Sequence, residues 1–130
     1  MADIDLNPDA PWTPERAREI SRLFAECARL LNYASHPSRD ALDDPADLAA
    51  VVGDVSAGVT RLIQFFGQLS HIIDLHAVAW EPDGNAGAST VEWTRAWAGD
   101  ATTDCVSFAD VLAGLHQRLS HLRAKETPGE

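Results

Sequence analysis

From Leu48 to Trp80 the apolar positions recur at intervals that alternate between four and three residues. Leu48, Val52, Val55, Val59, Leu62, Phe66, Leu69, Ile73, His76 and Trp80 share one phase, and a stripe of that period sustained over several heptads predicts a single long amphipathic helix. Asp44-Pro45 marks its start, with Asp44 as the cap, proline at the first helical position and Asp47 in the first turn. A straight helix from Pro45 to Trp80 would run about 50 Å. Gly53, Gly58 and Gly67 each weaken it by about 1 kcal/mol relative to alanine. They predict either a kink or a split near Gly53, or places where another helix comes close.

A second stripe, Ile20, Phe24, Cys27, Leu31 and Ala34, widened by Leu23 and Leu30, predicts a core-facing helix. It opens at Thr13-Pro14-Glu15 and ends at His36-Pro37, because the residue before proline is pushed out of the helical region. Glu15, Arg18, Glu19, Arg22, Glu26 and Arg29 occupy the other face as a solvated charge ladder. Near the C-terminus Cys105, Phe108, Leu112, Leu115, Leu119 and Leu122 form a third stripe, broadened by Val111, on a helix that starts around Thr102-Thr103-Asp104. Between Glu81 and Ser89 lies a loop rich in Gly, Pro and Asp. A short helix, Thr90 to Ala98, is expected after it, with Gly99 placed to stop it.

No segment alternates with period two, so no strand is expected. The fold class is therefore all-α: an antiparallel helical bundle of three long helices plus a short one, with a long central helix. At 130 residues this is expected to be one domain, with residues 1–12 and 125–130 flexible. A central stripe longer than its neighbours can cover leads to the further expectation of a homodimer.

Charge narrows the functional classes. Twenty acids against ten bases give a formal net charge of −10, which disfavours nucleic acid as a partner and would steer a basic protein inward. Apolar runs are interrupted before reaching the ~18 residues that span a bilayer, and no signal peptide is recognisable, so a cytoplasmic protein with no membrane partner is expected. Cys27 and Cys105 fall in phase with apolar neighbours and read as small buried hydrophobes.

Four constellations could carry chemistry. His71 and His76 stand five residues apart, which turns their imidazoles about 140° from each other on a helix and prevents shared metal ligation. His76, on the stripe, is expected buried, and His71 exposed. Asp40, Asp43, Asp44 and Asp47 form an acidic stretch that suits a basic partner, and DDPAD, Asp43 to Asp47, also matches the Asp-Asp-x-x-Asp magnesium motif. That motif needs a large cavity and a second acidic motif, whereas capping accounts for the acids directly. Trp93 and Trp97, one turn apart, are candidates for a partner-facing surface, since tryptophan dominates interface hot spots. His76, Trp80 and Trp97 are the alternative ligand-binding set. No catalytic residue, metal ligand or cofactor is assigned, because no nucleophile elbow, phosphate loop or metal-ligand spacing is present.

Two resemblances add context. Trp97-Ala98-Gly99 resembles the Trp-x-Gly turn of the WXG100 family of secreted helical hairpins, and implies a secreted effector with a turn at that point. Leu31, Asn32, Ala34, Pro45, Ala46, Asp47 and Gly53 resemble positions in uncharacterised small helical proteins of actinobacteria, often encoded on phages or other mobile elements; Asp44 stands where those have tyrosine. That resemblance implies a helical accessory protein with no catalytic residues. The combined expectation is a non-enzymatic interaction or adaptor protein that pairs with itself and with another, basic, protein.

Overall fold

The computed structural model describes residues 5–84 and 87–126. Among them there is no strand, and three long helices dominate: α1 (Pro14–Ala34), α2 (Pro45–His76) and α3 (Thr90–Leu119), with short 3-10 turns at Pro37–Arg39 and Ala77–Ala79. The chain divides into two compact units, Met1–Asp43 and Asp44–Glu130.

In the first unit α1 is capped as its sequence suggests, the Thr13 hydroxyl accepting the Arg16 backbone N–H at 3.1 Å. Residues 5–12 are gathered by Arg16. Its guanidinium donates to the carbonyls of Asp5, Asn7 and Ala10 at 3.0, 2.6 and 2.9 Å and lies 3.6 Å from the Trp12 ring centroid. A planar fork with several donors suits a run of carbonyls better than lysine would. Residues 1–4 lie outside the described residues. The core-facing role expected of α1 is not seen, since the helix buries no residue. Phe24 is 61% exposed, and Cys27, expected buried, is exposed.

The second unit is a helical hairpin. Three contacts fix α2 and α3 as antiparallel: Gly53 lies against His116, the Cys105 thiol donates to the Val59 carbonyl at 3.4 Å, and Asp74 pairs with Arg95 at 3.2 Å. As residue numbers rise on α2 they fall on α3. α2 passes through Gly53 without a break; a Cβ added there would stand 2.8 Å from the His116 Nε2, so this glycine marks a close approach and not a kink.

The seam overlaps the expected one, is broader on one side, and excludes His76 and Trp80, which are exposed. Val52, Val59, Phe66 and Ile73 do face α3, but their companions are Ala49, Ser56, Ile63, Ser70 and Ala77, with Ala49, Ile73 and Ala77 buried. Leu48 and Val55, in phase with Phe66 and Ile73, are half-buried, as are Leu62 and Leu69 toward the shoulder, and His76 is exposed, contrary to expectation. The opposing surface supplies the reason: α3 presents Ala98, Thr102, Cys105 and Ala109 there, and these small side chains leave room for the larger Val59, Ile63, Phe66 and Ile73 of α2.

α3 also departs from the sequence reading. The expected short helix and last helix are one continuous helix through Gly99. The hydroxyls of Thr102 and Thr103, instead of capping a new start, bond back to the carbonyls of Ala98 and Gly99, both at 3.2 Å. Ala98, Cys105, Ala109 and Leu112 are its buried residues, and Phe108, Leu115 and Leu122, expected in the seam, are exposed.

Candidate functional site: the uncovered face of the hairpin

Counting around α3 at 100° per residue, the exposed row Trp97, Phe108, Val111 and Leu115 is centred about 110° from the seam that meets α2. On α2 the half-covered and exposed apolar residues Leu62, Phe65, Leu69 and Ile72 lie a similar angle from their own seam. Antiparallel helices turn in opposite senses when viewed from one end, so both rows come to the same side of the hairpin. The result is one apolar face shared by two helices. Trp97 is 69% and Val111 66% exposed, and a row of this composition shows on the order of 600 Å² of apolar surface, at the top of what a monomer ordinarily leaves bare.

The named site residues fall as follows. Trp93 and Trp97 are both exposed on α3, Trp97 on the bare face. His76 and Trp80 stack with ring centroids 5.9 Å apart and planes 22° from parallel, but among the described residues Trp97 makes no ring contact with them. His71 is exposed, as expected. Asp40 and Asp43 close the first unit, Asp40 at a left-handed φ of 57°, while Asp44 and Asp47 open α2. Asp44 accepts the Ala46 backbone N–H at 2.8 Å, so within DDPAD it serves as the helix cap. Trp97-Ala98-Gly99 lies inside α3 rather than in a turn.

The structure also shows a constellation with no signal in the pattern of the chain. At the end of α1 a depression of about 270 Å³ is lined by Asn32, Tyr33, His36, Ser38 and Arg39. There His36 Nδ1 lies 2.7 Å from the Ser38 hydroxyl and accepts the Ser38 backbone N–H at 3.2 Å, while the guanidiniums of Arg29 and Arg39 lie 5.5 and 5.8 Å from the Tyr33 centroid. The imidazole caps a 3-10 turn, an ordinary local role. A catalytic pairing would also need the other ring nitrogen oriented by a third group.

Among the described residues no three His, Cys, Asp or Glu side chains converge as a metal site. Pro45–Ala79 is long and apolar enough to cross a membrane by length and composition, its best 18-residue window having a mean hydropathy of 1.3. Arg61, Gln64, Gln68 and His71 interrupt that stretch. No protein-family model, no curated protein and no solved structure matches this chain.

Proposed function

We propose that the protein is a non-enzymatic interaction or adaptor protein, whose apolar stripes are completed by helices of other chains. The observation that carries the reading is the bare face of the α2–α3 hairpin, together with an α1 whose stripe leaves Phe24, Leu30 and Leu31 exposed. Uncovered stripes with helical period are what helix-in-groove and bundle assemblies bury. The complete assembly is an antiparallel bundle in which the protein pairs with itself and with a second protein. Asp40, Asp43, Asp44 and Asp47 favour a basic partner, and Trp93 and Trp97 supply rigid contact area. Neither nucleic acid nor membrane is a partner, and the setting is the cytoplasm.

Affinity capture of the tagged chain from its native cell tests this. A stoichiometric second protein, lost in a Phe24→Glu or Trp97→Ala variant that keeps its helicity, supports the reading. A purified chain that instead carries a metal or an absorbing small molecule, released on substituting His76 or Trp80, would move the assignment to a ligand-binding bundle. Recovery from the culture medium would favour a secreted effector.

A further inference from the structure

We infer that two copies of this chain pair through the bare hairpin face, α3 against α3 and α2 against α2, each antiparallel, about a two-fold axis at the level of Val111 and Gly58. The inference rests on the self-pairing proposed above and specifies its geometry.

The level follows from the hairpin itself. Gly53 meets His116, and moving five residues inward on each helix, at equal rise, reaches Gly58 and Val111. Acid–base pairs straddle that level on both helices, although Asp100, on the same side of α3, faces the uncharged position of Leu122. Between Leu48 and Ile73 the only formally charged residues are Asp54 and Arg61, four residues before and three after Gly58. On the bare row of α3, Asp104 and Arg118 stand seven residues either side of Val111. A two-fold axis at this level therefore brings Asp104 opposite the second copy's Arg118, twice, and Asp54 near its Arg61, twice. Asp110, the remaining acid in this part of α3, lies on the opposite flank. A parallel pairing would instead place Asp104 on Asp104 and Arg118 on Arg118, which like-charge repulsion disfavours.

The ends of α3 agree with this arrangement. Glu92, Asp100 and Asp104 against Arg95 leave its first half net acidic, and Arg118, followed by Arg123 and Lys125 beyond the helix, makes its far end basic. Gly58 has nothing within 4 Å of a Cβ position, which leaves room for a second α2 to cross at the axis. The two rows together expose Trp97, Phe108, Val111, Phe65 and Ile72, and an isologous contact of this kind closes upon itself without forming filaments.

The experiment combines sedimentation with site-directed cross-linking in a Cys27→Ser background. Val111→Cys is expected to form a disulfide-linked dimer on mild oxidation, because a residue on the axis meets its own copy, while Ala113→Cys, on the other side of α3, remains uncross-linked. Asp104→Arg and Arg118→Asp should each weaken the dimer at least tenfold with helicity unchanged, and the double variant should restore it. A chain that sediments as a monomer, its face covered by α1 or by another protein, would overturn the inference. A dimer that Val111→Cys does not trap, or that the charge swap does not rescue, overturns this geometry while leaving the interaction reading intact.

Discussion

Single residues show how one amino-acid type takes different roles by position. Gly53 faces His116, whereas a Cβ at Gly67 would meet nothing within 4 Å. Gly67→Ala should therefore raise stability by about 0.5–1 kcal/mol through helix propensity and reduced unfolded-state freedom. Gly53→Ala should gain less because the His116 ring must move aside, and thermal melts of the two variants make the comparison. Arg29 hydrogen-bonds the Glu26 carboxylate, Nε to Oε2 at 2.9 Å, and holds its pKa below the ordinary carboxylate value. A pKa lowered by folding gives stabilisation that is present above the unfolded value and lost as pH falls through the folded one. In an acid titration followed by circular dichroism, the helicity of α1 should accordingly fall more in the native chain than in Glu26→Gln below about pH 4. Both side chains are solvated, so the difference will be small.

At the scale of elements, the hairpin has two apolar sides, one buried between the helices and one exposed. Leu112 is buried in the seam and Phe108 is exposed on the other side. Leu112→Ala should cost about 2–5 kcal/mol in chemical denaturation, and Phe108→Ala should scarcely change the unfolding of the hairpin. The same contrast on α2 separates folding from assembly. Ile73→Asp places an unpaired charge in the seam and should unfold the hairpin, at a cost of several kcal/mol. Leu69→Asp, on the half-buried shoulder, should keep the helices while abolishing self-association, as circular dichroism and sedimentation would show together.

For the whole molecule, net charge opposes what the bare stripes favour. At a formal −10 the copies repel one another at neutral pH, which limits association to contacts that also match charge. Near the isoelectric point of about 4.7 that restraint vanishes while Trp97, Val111 and Leu122 stay exposed. Turbidity should therefore peak near that pH and fall on either side of it.

Much of the fold was legible in the chain because its signals are local. The starts of α1 and α2 at Thr13-Pro14 and Asp44-Pro45 depend on capping chemistry within one turn, and the helical period of the stripes needs no partner to be read. The site was legible only in outline. Trp97 lies on the bare face, but the acid–base pairs about Gly58 and Val111 have no meaning until α2 and α3 are set against each other. The tertiary structure decided which apolar residues form the seam, because a heptad stripe with large residues on one shoulder and small ones on the other does not say which shoulder turns inward. The small face of α3, Ala98, Thr102, Cys105 and Ala109, resolved that choice by allowing close approach. It thereby left His76 and the larger apolar side chains of α3 outside the seam.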